Sequence, residues 1–363
     1  MKFRFDEIAF NSTLKKKPVE EDKIHYIGLE HIEPGNFSIT EWGSDVAPVG
    51  EKLIMKKGDI LFGKRRAYQR KVAIAPFDGI FSAHGMVLRP KTDVIDADFF
   101  PLFISSDTFM ETAMRISVGG LSPTINWKDL KKQEFELPSL EEQQTIAKKA
   151  WAAYRLKEAY QRLLVATDEM VKSQFIEWFG DVEYIPLKNV CLRIGEYGSN
   201  TPATDYDGSV RYLRITDIND DGSLGNEIVS PSTIEEKYYL QTNDFVFART
   251  GNTVGKTYLH TSGKMIYAGY LIRYKLDETC VLPKFLLAYT HTSLFWDWVS
   301  KMKKVGAQPN ISAQQYNELP IPRAEIASQQ RFVSIAEQAD KSKFELKRAI
   351  EAIDKVIKSI ING

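Results

Sequence analysis

This chain has little cysteine, no surplus of either charge and no long apolar run, and each shortage removes a class of protein. Two of its 363 residues are cysteine, Cys191 and Cys280, without metal-type spacing. Buried thiols in a reducing cytoplasm are expected, because a secreted chain of this size usually carries more cysteine. No stretch approaches the ~18 apolar residues of a membrane span. The opening MKFRFDEIAF puts acids where a secretory signal is apolar. Lysine and arginine total 48, as do aspartate and glutamate, which leaves no net field for coating a polyanion. A nucleic-acid reader of this composition must gather its cations locally.

Catalytic signatures are also missing. The five histidines, His25, His31, His84, His260 and His291, have no zinc-like spacing and join no Ser-His-Asp or Cys-His grouping. In GNTVGKT, Gly251 and Gly255 enclose three residues where the nucleotide loop needs four, and strand-like TYLHTS follows instead of a helix. No glycine-rich cofactor fingerprint and no N/D-P-P-Y/F motif for amino-group methylation occurs. Asp340, Glu345 and Lys347 read as solvated charges on a helix face, not as a nuclease triplet. The expectation is a non-enzyme that binds no metal or cofactor of its own.

What is present is a duplication. VGGLSPTINWKDLKKQEFELPSLEEQQTIA (118–147) and VGAQPNISAQQYNELPIPRAEIASQQRFVSIA (305–336) align with Ile125 and Ile311 186 positions apart. The same offset joins Gln143-Gln144 to Gln329-Gln330 and Tyr26 to Tyr212. Each copy opens with short β-rich runs between Gly, Pro and Asp turns. These are HYIGLEHI, GDILFG, KVAIAPF and GMVLRP, then VRYLRITDI, NDFVFART, TYLHTS and GYLIRYK. Residues 98–118 and 283–305 then read as helical, with Pro283 suited to a first turn.

A long helix closes each copy. The first is expected from Ser139, with Glu141 and Glu142 at its positive end, to Phe179, where Gly180 stops it. Apolar or small positions step by four and three: Ile146, Ala150, Ala153, Lys157, Tyr160, Leu164, Thr167, Val171, Gln174 and Trp178. The second copy repeats them as Phe332, Ala336, Ala339, Lys343, Leu346, Ile350, Ile353, Ile357 and Ile360. That is a coiled-coil seam. Helices of roughly 35–40 residues span about 55 Å, longer than one small domain needs. The expected fold is therefore α+β: two tandem α/β domains, 1–138 and 181–322, joined by antiparallel helices 139–180 and 323–363 with a pseudo-twofold.

The densest positive charge is Lys56, Lys57, Lys64, Arg65, Arg66, Arg70 and Lys71, with Tyr68 and Gln69 inside it. It follows a strand, so a loop tip is expected, and arginine and glutamine are the side chains that read base edges. The second copy keeps the framework and changes the contents, offering Arg249, Thr250, Asn252 and Lys256. A second pair of turns adds Ser122 and Thr124 in one copy, and Gln308 and Asn310 near Lys303 and Lys304 in the other. Their small neighbours allow close backbone approach.

V-G-A-Q-P-N-I-S…L-P-I-P…Q-Q, preceded by a G-D-I-L-F-G strand, resembles the specificity subunit of type I restriction–modification enzymes, over essentially the whole chain. Pro138 with Gln143-Gln144, and Pro322 with Gln329-Gln330, match that family's passage from recognition domain to spacer helix. Gln308-Pro309-Asn310 fits its turn, whereas the first copy has Ser122-Pro123-Thr124, and Ala327-Ser328 replaces the acid that usually precedes the glutamine. The resemblance implies two target-recognition domains, each reading half of a split double-stranded DNA sequence, with the helices fixing the gap. It also implies two methylation subunits carrying S-adenosylmethionine, and restriction subunits using ATP and magnesium, all outside this chain and in the cytoplasm.

Overall fold

A computed structural model describes residues 1–303 and 309–362. The chain is α+β and separates into two compact units, Met1–Gln161 with Arg348–Gly363, and Arg162–Lys347. Each unit is built on a four-stranded antiparallel sheet. Its order in the first is Ala9–Ser12, Met86–Pro90, Ile60–Phe62, Val72–Ile74. In the second it is Cys191–Tyr197, Leu271–Leu276, Asp244–Ala248, Thr257–Leu259. A short parallel pair also recurs, Tyr26–Ile27 beside Gly79–Phe81 and Arg211–Leu213 beside Met265–Tyr267. The duplication legible in the letters is thus a duplication of topology.

Alternate residues of a strand point to opposite faces. In the first unit Ile60 and Phe62 pack with the helices while Leu61 packs with Leu53, Met55 and Phe81 of a second four-stranded sheet. In the second, Phe245 and Phe247 take the helix side, and Val246 and Ala248 the other. Covered on both faces, these strands carry unbroken apolar runs instead of an alternating pattern. The aspartate ahead of each run is buried and tied. Asp59 accepts from Lys56 N–H (2.8 Å) and from Arg89 Nε and Nη2, and Asp244 accepts from Gln241 N–H (2.8 Å). A buried carboxylate survives because these donors replace its water.

The two helical regions each break in two. Phe99–Ser105 is followed by Asp107–Arg115, and Pro283–Thr290 by Ser293–Met302. The breaks fall at Ser106 and Thr292, 186 positions apart. Ser106 is extended (φ −65°, ψ 156°) and its hydroxyl accepts from Phe109 N–H, so a new helix starts there.

The long helices run Leu140–Phe179 and Ile326–Asn362. Ser139 and Glu142 form a reciprocal cap at the first: Ser139 N–H donates to Glu142 Oε2 (2.9 Å) and Glu142 N–H to Ser139 Oγ (3.3 Å). One turn in, a buried glutamine locks each helix to its domain. Gln143 Oε1 accepts from Asp96 N–H (2.8 Å), and its amide donates to Val94 O (3.3 Å) and Pro138 O (3.0 Å). Gln329 repeats this with Leu282 N–H (2.9 Å), Cys280 O (2.9 Å) and Ala324 O (2.8 Å). Every partner is displaced by 186 positions.

Each unit contains part of both long helices. In the first, Ile357 is buried with Ala147, Ala150 and Tyr154, and Lys157 pairs with Asp354 at 2.6 Å. In the second the segments run antiparallel: Asp168 meets Lys343 at 3.3 Å, while Phe179, further along, packs on Phe332. The expected seam needs correction at the ends of the first helix. Its deepest residues are Gln143, Ala147, Ala150 and Tyr154 at one end and Phe175 and Phe179 at the other, whereas Trp178 is exposed. A helix that packs on a globular domain as well as on a second helix buries a wider stripe than a strict 3.5-residue seam. Ile146, Ala153, Tyr160, Leu164, Val171, Ala336, Leu346, Ile350 and Ile353 are half-buried, while Ala150, Phe332, Ala339 and Ile357 are buried. The buried four serve the chain's own packing and present nothing to an outside partner.

Candidate nucleic-acid interface

In each unit the loop leaving the central strand is clamped by backbone to the turn that the sequence singled out separately. In the first unit, Ile125 N–H donates to Lys64 O (2.9 Å) and Arg66 N–H to Pro123 O (2.7 Å), around an Arg65–Thr124 bridge. In the second, Ile311 N–H donates to Arg249 O (2.9 Å) and Gly251 N–H to Pro309 O (2.9 Å), around a Thr250–Asn310 bridge. This register equates Lys64 with Arg249 and Thr124 with Asn310. Two regions about 60 residues apart in sequence become one surface, because a pair of backbone bonds fixes a loop more firmly than side chains do.

The contents differ. In the first unit, Arg65 Nη2 and Arg66 Nε converge on Ser122 Oγ at 3.5 and 3.3 Å, and Arg65 Nη1 lies 3.5 Å from His84 Nε2. Among the described residues no carboxylate pairs with Arg65 or Arg66. The Thr124 hydroxyl donates to Ser122 O (3.2 Å), holding the turn. Partial burial, then Arg65, Lys64 and Lys52, hold the His84 imidazole below its usual pKa. Burial, then Lys15, likewise lowers the Lys64 ammonium. Arg66 stands in the left-handed region (φ 55°), as does Arg70 (φ 52°), either side of the turn Ala67–Gln69. A side chain there is strained, and strain of this kind collects at functional sites.

Arg70 departs from the rest of the cluster. Its guanidinium donates to Ser105 O (2.9 Å) and pairs with Asp107 (2.6 Å), and Lys71 donates to Leu29 O (2.6 Å). Both are used in holding the unit together. Tyr68 is exposed and Gln69 half-buried beside Arg66.

In the second unit Arg249 lies over the Tyr197 ring, 4.7 Å from its centroid, and its Nε donates to Asn310 Oδ1 (3.2 Å). Tyr197 is itself fixed, its hydroxyl accepting from Ala313 N–H (3.0 Å). Thr250 Oγ1 donates to Pro309 O (3.4 Å), and Asn252 is exposed. Lys256 is taken up by Asp220 (2.9 Å) and Ile218 O (3.2 Å). Lys303 sits 5.9 Å from the Trp296 ring. Lys304 and Gln308 lie outside the described residues. Sequence reasoning missed Tyr197 and His84, which reach the site from other strands and turns and show no local signal. Among the described residues no group of three or more His, Cys, Asp or Glu is placed to hold a metal. No described helix is long and apolar enough to cross a membrane.

Residues 3–153 match the family model of the type I restriction modification DNA specificity domain. Over 152 residues, 40% of this chain, the sequence is 31% identical to the type I restriction enzyme EcoDI specificity subunit of Escherichia coli. The match spans 33% of that relative's length. A chain of a type I R-M system, solved in work on its assembly and conformational transition, superposes with a TM-score of 0.62 at 16% identity, covering 99% of this chain and 96% of its own. The type I restriction–modification S subunit from M. genitalium gives 0.53 at 14% identity, covering 99% and 94%. At such identities the superpositions establish fold. Residues 3–153 are therefore similar to the type I restriction modification DNA specificity domain, and the whole chain shares the fold of type I restriction–modification S subunits.

Proposed function

We propose that this chain is the DNA-sequence-specificity subunit of a type I restriction–modification system, each unit reading one half of a bipartite double-stranded target. The observation that carries this reading is the backbone clamp built twice on one sheet topology and filled with different side chains. Arg65 and Arg66 converge on Ser122 in one unit, and Arg249 rests on Tyr197 beside Asn310 in the other. A scaffold repeated with altered tips suits two readers of different sequences, since tips can change while the supporting packing cannot.

Residues 1–138 and 181–322 serve as the recognition domains, and helices 139–180 and 323–363 set the gap between half-sites and give two methylation subunits their docking surface. The chain is non-catalytic and cytoplasmic. S-adenosylmethionine belongs to the methylation subunits, and ATP with magnesium to the restriction subunits that complete the complex. The site residues are Lys64, Arg65, Arg66, Tyr68, Gln69, Ser122 and Thr124, then Arg249, Thr250, Asn252, Lys303 and Asn310, together with Lys304 and Gln308 on the sequence alone. Co-expression with the cognate methylation subunits, followed by long-read mapping of modified bases, should show a split motif with a fixed gap. A continuous motif, or none, would count against the proposal.

A further inference from the structure

Among the described residues of the site, Arg249 is the one arginine that lies over an aromatic ring. Its guanidinium is stacked on Tyr197 at 4.7 Å, and only Nε is engaged, with Asn310 Oδ1 at 3.2 Å. Among the described residues neither terminal amino group makes a hydrogen bond, and no carboxylate pairs with the side chain. The platform is fixed too, because Ala313 N–H donates to the Tyr197 hydroxyl and Tyr197 closes the edge strand Cys191–Tyr197 against Leu271–Leu276. The Asn310 backbone is bridged to Thr250. Among the described residues, ring, amide and backbone thus leave a planar fork with both terminal amino groups unused, its rotamer entropy already spent.

That geometry suits one partner above others. Guanine presents N7 and O6 side by side in the major groove, and a bidentate guanidinium is the commonest specific contact to it. A phosphate can also take both arms of such a fork, but it carries no sequence information, so the two contacts differ in what they select. Asn310, with its oxygen turned to Arg249, keeps an amide donor for the neighbouring position. The first unit puts Lys64 at the equivalent place, half-buried with its carbonyl accepting from Ile125 N–H, and the matching strand Ala9–Ser12 ends in Asn11 and Ser12 without a ring. It offers no fork there.

Resting on the DNA-reading role proposed above, we infer that Arg249 is the residue by which the second unit selects a guanine, with Tyr197 as its positioning residue. The test uses the full chain co-expressed with its methylation subunits, selecting bound duplexes from a randomised pool and sequencing them. The wild type enriches a bipartite motif containing a guanine that Arg249→Lys, which keeps the charge, reduces relative to the other bases by roughly 5- to 150-fold. The other half of the motif stays intact and the melting temperature is unchanged. Tyr197→Leu degrades the same position, whereas Tyr197→Phe, keeping the ring, retains it. A motif unaltered in Arg249→Lys, with affinity lowered alike for every sequence, identifies a phosphate contact and overturns the inference while leaving the reader role standing. Loss with Arg249→Lys but not with Tyr197→Leu overturns the positioning role. A wild type that enriches no motif removes the DNA-reading role and this inference together.

Discussion

Arg70 and Asp107 form an ion pair at 2.6 Å, which takes the most deeply engaged arginine of the basic cluster out of the reading surface. With Ser105 O also accepting from Arg70, the side chain fastens the loop to the start of the helix Asp107–Arg115. Arg70→Ala should lower stability by about 1 kcal/mol, as expected for a partly exposed pair plus one hydrogen bond. It should leave the half-site motif unchanged. Chemical denaturation and methylation mapping of the same variant check the two statements.

Arg65 and Arg66 should behave in the opposite way. Each substitution by alanine should reduce the salt dependence of DNA binding by about one counterion if the side chain meets a phosphate. The effect on the methylation motif should be confined to one half-site. Titrations over a range of salt concentration, with the motif mapped in parallel, would expose a shared reader if both halves degrade together.

Arg66 allows a sharper separation of stability from function. Its φ of 55° suits glycine and strains any other ordinary side chain. Arg66→Gly should therefore be as stable as the parent, or up to about 1 kcal/mol more stable, while losing affinity. A variant weakened in folding and binding alike would show that the side chain is structural.

Gln143→Ala should be costly out of proportion to its size. It strands the Asp96 N–H and the carbonyls of Val94 and Pro138 in a buried place. Each unsatisfied group costs about 1–3 kcal/mol, so a loss of roughly 2–5 kcal/mol is expected after relaxation and water entry. Gln329→Ala should match it in the second unit. Hydrogen exchange should report opening of the first turns of the affected helix, and protection equal to the parent would discredit the latch.

The pH response follows from His84, whose folded pKa lies below its unfolded value through burial first and then Arg65, Lys64 and Lys52. The unfolded chain then holds more protons between the two values, so stability rises with pH across that interval, just below ~6.5, and falls on acidification. Phosphate beside the imidazole would favour its proton, so DNA binding should tighten as pH falls while the free protein weakens. His84→Gln should remove its share of both trends. Binding curves at pH 5.5 and 7.5 with equal slopes for parent and variant would contradict this.

The amino-acid sequence alone fixed the repeat, the strand-rich openings and the long helices, because each rests on local periodicity or on a second copy for comparison. Gln143-Gln144 and Gln329-Gln330 stood out as letters, but their function as buried latches depends on loops nearly 50 residues earlier. Breaks at Ser106 and Thr292 were hidden in helical composition. Tertiary structure decided which cations are engaged: Arg70 and Lys256 are tied by acids from other segments, whereas among the described residues no acid pairs with Arg65, Arg66 or Arg249. It also supplied Tyr197 and His84. Periodicity is carried by neighbours in the chain, whereas the neutralisation and orientation of a charge are set by whatever residues folding brings beside it.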